Sequence, residues 1–148
     1  MGKPGSVLNL DNDITFYYIA LCNAQRTSRV VKNAVEILKK EIGENTPFYS
    51  LVVFGSYSTN EQKPGSGLDV AVFIESEEKK KQMVASINSA KLKIPAEIDA
   101  HVIPKAEMIE MLTNNEENLG KQIARKHIAI HNHQLFYEII LEGMRHGF

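Results

Sequence analysis

Apolar positions along the chain follow two periods, and the switches between them outline the fold. Over residues 14–43 the period is helical. Val31, Val35, Leu38 and Ile42 recur three and four apart, Val30, Ala34 and Ile37 broaden the stripe, and Lys32, Lys39 and Lys40 lie outside it. A weaker stretch over residues 23–28 leaves open whether this is one helix or two, and Gly43 is read as the stop just past its end. Residues 49–54, YSLVVF, are short, apolar and β-branched, which predicts a buried strand. Residues 55–67, GSYSTNEQKPGSG, are turn chemistry throughout. Residues 68–74, LDVAVFI, predict a second buried strand, and residues 77–93 a helix whose apolar side carries Met83, Val84, Ile87, Ala90 and Leu92 before Pro95 breaks it.

Residues 96–103, AEIDAHVI, alternate cleanly. Ala96, Ile98, Ala100 and Val102 fall on one face; Glu97, Asp99, His101 and Ile103 fall on the other. Pro104 ends that strand and fits the first position of a helix over 105–112. A helix over 116–126, a short strand over 128–130 and a closing helix over 133–145 complete the order α-β-β-α-β-α-α-β-α. That order predicts an α/β (α+β) fold class, one small mixed β-sheet flanked by helices. Residues 1–13 are read as a flexible leader and residues 14–148 as a single domain, which suits a chain of 148 residues.

Composition narrows the picture by exclusion. The net charge is −1, so bulk electrostatics do not select a polyanion, and any phosphate contact must be local; nucleic acid is left open as a partner. The single cysteine, Cys22, can form neither an intrachain disulfide nor a cysteine metal cluster, and is read as a buried helix thiol. The polar start lacks a signal-peptide apolar core, and no run of about 18 apolar residues exists to span a membrane. The expected compartment is the cytosol.

Candidate chemistry lies in residues 52–75, VVFGSYSTNEQKPGSGLDVAVFIE, together with Asp99. A buried strand runs into Gly55 and Ser56, then a polar loop, then a strand that begins at Asp69. Gly55 has no Cβ and lets backbone approach a ligand closely. Ser56 offers a hydroxyl, and a helical turn starting there would present free N–H groups to an anion. If the strands are neighbours, Asp69 and Asp99 point to one side and offer oxygen ligands to a hard cation such as Mg²⁺. A cation beside a phosphate-cradling turn is the equipment of phosphoryl or nucleotidyl transfer.

These segments resemble the DNA polymerase β-like nucleotidyltransferase superfamily in its minimal, single-domain form. Phe54-Gly55-Ser56 matches the hydrophobic-Gly-Ser motif, Leu68-Asp69-Val70-Ala71-Val72 the acidic strand, and Ile98-Asp99-Ala100 the strand with the third carboxylate. The ending, NLGKQIARKHIAIHNHQLFYEII, is similar to the helix–strand–helix tail of bacterial and archaeal members. The resemblance implies Asp69 and Asp99 as metal-binding and catalytic residues, and Gly55, Ser56, Lys63 and Ser66 as nucleotide- or phosphate-binding residues. It implies Mg²⁺ or Mn²⁺ as cofactor and a nucleoside triphosphate, ATP first, as substrate. It also implies either transfer of a nucleoside monophosphate to a hydroxyl of a protein or small molecule, or an impaired relative acting as a regulatory binding module. A helical partner of the HEPN type, as in toxin–antitoxin pairs, and a homo-oligomer are the partners it suggests.

The chain departs from the family pattern at one position. The first carboxylate of the acidic strand falls at Gly67, and shifting the register so that Asp69 comes first puts Ala71 second. A carboxylate about 4 Å from a unit charge contributes roughly 4 kcal/mol at an effective dielectric near 20, before desolvation is subtracted. Its loss weakens a metal site by orders of magnitude unless phosphate oxygens and water supply ligands. Glu61, Glu75 and Glu97 are read as solvated surface acids, not replacements. His127, His131 and His133 do not share one convergent face, unlike zinc-binding pairs on a helix. His101 shares the strand face of Asp99. Tyr57 and Ser58 are candidates to contact base or ribose, Lys79, Lys80 and Lys81 a solvated helix start, and Phe16, Tyr17 and Tyr18 packing residues.

Overall fold

The computed structural model describes residues 29–55 and 67–146. The leader at 1–13, the first half of the predicted opening helix, Cys22 and the aromatic run Phe16-Tyr17-Tyr18 lie outside the described residues, as do Ser56, Tyr57, Ser58, Glu61, Lys63 and Ser66.

The described elements are α1 (Arg29–Gly43), β1 (Ser50–Phe54), β2 (Leu68–Ile74), a 3₁₀ turn (Glu77–Lys79), α2 (Lys80–Lys91), β3 (Ile98–Pro104), α3 (Lys105–Thr113), α4 (Leu119–Arg125), β4 (His127–His131) and α5 (His133–Arg145). Among the described residues, four strands form one sheet in the order β3-β2-β1-β4. β1 pairs antiparallel with both β2 and β4, and β2 pairs parallel with β3, so the sheet is mixed as the element order predicts.

Both faces of the sheet are covered, which is why β1 and β2 read as nearly continuous apolar runs. One face carries Leu51, Val53, Leu68, Val70 and Val72 and packs against Val31, Val35, Leu38 and Ile42 of α1 and Met83 and Ile87 of α2. The opposite face carries Val52, Phe54, Ala71, Phe73 and Ile103 and packs against Met108, Leu112, Ile123, Phe136 and Ile139 of α3, α4 and α5. The alternation read in residues 96–103 is real: Ile98 joins the first core and Ile103 the second.

Element boundaries differ from the sequence reading at places with local causes. Gly43 is the last residue of α1, and among the described glycines only Gly55 has a positive φ, so Gly43 is not a left-handed cap. The helix predicted from residue 77 opens instead as a 3₁₀ turn, capped by the Ser76 hydroxyl, which accepts from the Glu78 N–H at 3.1 Å. Pro104 is the N-cap of α3, with extended backbone (φ −62°, ψ 149°), not its first helical residue. α4 begins at Leu119, three residues later than expected at 116, because Asn118 caps it: its side-chain oxygen accepts from Lys121 N at 3.1 Å while its amide donates to the Met111 carbonyl at 2.8 Å. Among the described residues no helix is long and apolar enough to cross a membrane.

Candidate functional site

One end of the sheet collects the end of β1 and the starts of β2, β3 and β4. There Phe54 lies opposite Asp69 on one side and His127 on the other, and Asp69 lies opposite Asp99 across the parallel pair. Lateral partners in a sheet project to the same face, so the two aspartates stand side by side. Asp69 is the one residue of β2 that is not buried, and Asp99 is exposed. The strands are held by the same register that fills the cores, so the pairing of the two carboxylates is fixed by apolar packing on either side of them.

Gly55 closes the site from above. Its φ is +73°, the left-handed region that an L side chain adopts only with strain. A Cβ built on Gly55 would run into the Asp69 carboxylate oxygen and stand 3.3 Å from Asp69 Cγ. The glycine is required both by its backbone angle and by the approach of the carboxylate.

The electrostatics follow from crowding. Burial pushes the Asp69 carboxyl above its ordinary range, and the negative charge of Asp99 and a hydrogen bond to it push the same way; His101 opposes them. The His101 Nε2 lies 3.6 Å from Asp99 Oδ2, and its ring packs at a tilt on Phe54 with centroids 5.9 Å apart. Two adjacent carboxylates in a partly desolvated site are what a hard cation would relieve, and their all-oxygen donor set suits magnesium or manganese. The residues present therefore fit the divalent ion that the sequence implies. Among the described residues, no three His, Cys, Asp or Glu side chains converge as a set able to hold a metal ion.

The aspartates open into a cleft of about 460 Å³ lined by Phe54, Gly55, Asp69, Asp99 and His101 on the sheet side and by Leu119, Gln122, Arg125 and Lys126 on the other. The cleft thus has an acidic floor and a basic wall. Sequence reasoning missed Gln122, Arg125 and Lys126, because nothing in the spacing of α4 says that it folds over the starts of β2 and β3. Arg125 is held by Glu117 through two hydrogen bonds of 2.5 and 2.8 Å. α4 is set in place by the Asn118 cap at one end and by His127 at the other. The His127 Nδ1 bonds the Ile123 carbonyl at 2.9 Å, and its Nε2 bonds the Tyr137 hydroxyl at 2.9 Å.

Of the residues singled out in the sequence, the structure brings together Gly55, Asp69, Asp99 and His101. His127 serves packing between α4, β4 and α5, and His131 stacks on Tyr49 with ring centroids 4.5 Å apart. Gly67 immediately precedes β2, and its lateral neighbour is Glu97.

A search of curated proteins gives no match. Among solved structures the chain is similar to one described as a toxin-antitoxin with AMP-PNP, at 17% identity, covering 74% of this chain and 83% of that one, with a TM-score of 0.48. The model of the nucleotidyltransferase domain matches residues 35–140, a span holding the four strands, both aspartates and the basic wall. By that match over most of its length, the chain belongs to the nucleotidyltransferase domain family.

Proposed function

We propose that the cleft binds a nucleoside triphosphate with a divalent cation and passes its nucleoside monophosphate to a hydroxyl group on a protein or small molecule. The observation that carries this reading is the lateral pairing of Asp69 and Asp99 under Gly55, facing Arg125 and Lys126 across one cleft. When bound, magnesium or manganese would neutralise phosphate charge and favour departure of pyrophosphate.

The chain's own residues divide the remaining work. Asp69 and Asp99 hold the cation. Arg125 and Lys126 offer positive charge to the phosphates, Arg125 after exchanging Glu117 for a phosphate oxygen. Ser56, Lys63 and Ser66 belong to the same phosphate-binding set by family pattern. Asp99, the more exposed acid, receives the proton of the acceptor hydroxyl as its oxygen bonds to the α-phosphorus; the bond from that phosphorus to the bridging oxygen breaks, and pyrophosphate leaves with the electron pair. ATP is the first substrate to test. Incubation with α-labelled ATP, Mn²⁺ and candidate acceptors should label an acceptor with wild type and not with Asp99→Asn. Labelling equal in the two would count against this assignment.

Gly67 favours a second reading, in which the chain binds the nucleotide complex but turns it over poorly and acts through a protein partner, a helical HEPN-type chain being the family's suggestion. Saturable binding of Mn²⁺–ATP without label transfer to any acceptor would support it.

A further inference from the structure

Gly67 leaves a gap whose other wall is Glu97. The Leu68 N–H donates to the Glu97 carbonyl at 2.8 Å, and from there the register runs on as Leu68 opposite Ile98 and Asp69 opposite Asp99. Position 67 is two residues before Asp69, and Glu97 two residues before Asp99, so both face the cleft side of the sheet. A Cβ built on Gly67 would lie 3.8 Å from Glu97 Cγ and 3.9 Å from its carboxyl carbon, Cδ. The Glu97 side chain already borders the volume that a carboxylate at position 67 would fill. It is exposed, and among the described residues no salt bridge or side-chain hydrogen bond engages it.

The acidic pattern is therefore transposed, not merely reduced. A family member carries carboxylate–hydrophobic–carboxylate on the strand equivalent to β2 and one acid on the neighbouring strand. Here the neighbouring strand carries Glu97-Ile98-Asp99 and β2 carries Asp69 alone. Ile98 points into the core with α1 and α2, so its two acidic neighbours project to the other face together. Because β2 and β3 are parallel and in register, moving an acid from position 67 to position 97 shifts it sideways by about one strand spacing, roughly 4.8 Å. A glutamate is one methylene longer than an aspartate, and a change of staggered rotamer redirects its carboxylate across the space beside Gly67. Gly67 leaves the space into which it swings.

We propose that Glu97 supplies the third carboxylate of the cation site when the metal–nucleotide complex is bound, in place of the side chain absent at Gly67. This inference rests on the nucleotide-binding reading above and adds a ligand to it. Gly67 is then the partner of Glu97 in one exchanged feature, and the two positions are coupled: an acid at either serves, and losing both does not.

Mn²⁺ binding, read by electron paramagnetic resonance and calorimetry in the presence of a non-hydrolysable ATP analogue, tests this without reference to turnover. Wild type, Glu97→Gln, Glu97→Gln with Gly67→Asp, and Asp69→Asn are compared, with circular dichroism showing that each is folded. Glu97→Gln should weaken Mn²⁺ binding about tenfold or more, the scale seen when a supporting group is removed from a metal site. Adding Gly67→Asp to it should restore affinity to within a few-fold of wild type. If Glu97→Gln binds Mn²⁺ as wild type does while Asp69→Asn loses it, the role of Glu97 is overturned and the nucleotide reading stands. If wild type itself binds no Mn²⁺–analogue complex, both fall.

Discussion

The Asp69 carboxylate occupies the space that a Cβ on Gly55 would need, just beyond the Phe54–Asp69 pair where the end of β1 meets the start of β2. Gly55→Ala must both hold a positive φ and displace the carboxylate. The backbone strain alone costs roughly 1–2 kcal/mol. The variant should therefore unfold at lower urea concentration and, while still folded, lose binding of the Mn²⁺–nucleotide complex. Retention of full affinity would show that the close approach does not shape the site.

Gly67→Asp is the opposite case. The built Cβ meets only ordinary contacts, the nearest at 3.8 Å, and Gly67 has no left-handed φ. The substitution should be accepted with a small change in stability; with Glu97 in place it should change affinity for Mn²⁺ with the ATP analogue little, and in the Glu97→Gln background it should raise it. Calorimetry measures it. An unchanged or lower affinity on adding Gly67→Asp to a well-folded Glu97→Gln variant would mean that position 67 does not look onto the cation site.

The basic wall makes a separable prediction. Lys126→Ala and Arg125→Ala should each weaken triphosphate binding several-fold, with chelator as well as with metal present, because each removes a cation that faces the phosphates. Glu117→Gln should leave binding unharmed or improve it, because Arg125 is released from its two hydrogen bonds to that carboxylate. Fluorescence titration with a labelled nucleotide distinguishes these. Equal weakening by all three variants would indicate that α4 has moved, not that Arg125 contacts phosphate.

A pH dependence of stability follows from His131. Burial holds its imidazole below the ordinary histidine range, and the positive charges of Lys39 and His133 act in the same direction. The folded chain thus binds fewer protons there than the unfolded chain. The resulting stability is fully present above about pH 6.5, the unfolded value, and is lost as pH falls through the lowered folded value. His131→Phe keeps a ring over Tyr49 and removes the titration. Urea unfolding between pH 8 and pH 5 should show wild type losing stability more steeply than the variant. Parallel curves would contradict the assignment. His133, also held low by burial, contributes to the slope common to both.

Much of this site is legible in the sequence because its key relation is one of parity. Asp69 interrupts an apolar strand, and Asp99 sits opposite Ile98 and Ala100 in a clean alternation, so each acid could be assigned to a face before any pairing was known. What alternation does not supply is register. Glu97 looks remote when measured along β3 from Asp99, but across the sheet it lies beside Gly67, and that adjacency exists only once Leu68 is seen to bond the Glu97 carbonyl. The basic wall was hidden for a related reason. Nothing in the spacing of Arg125 and Lys126 places them at the cleft; Asn118 and His127 tie α4 across the aspartates and bring them there. The helix over 116–126 starts at 119 because Asn118, not Glu116, supplies the oxygen that the first free N–H groups require.

In the proposed function Asp69 and Asp99 share a divalent cation beneath a bound nucleotide. Crystals soaked with Mn²⁺ and a non-hydrolysable ATP analogue, with data collected at the manganese edge, test it directly. An anomalous peak is expected between the two carboxylates, with phosphate density running toward Arg125 and Lys126. A nucleotide seated elsewhere, or manganese bound away from both aspartates, would contradict it.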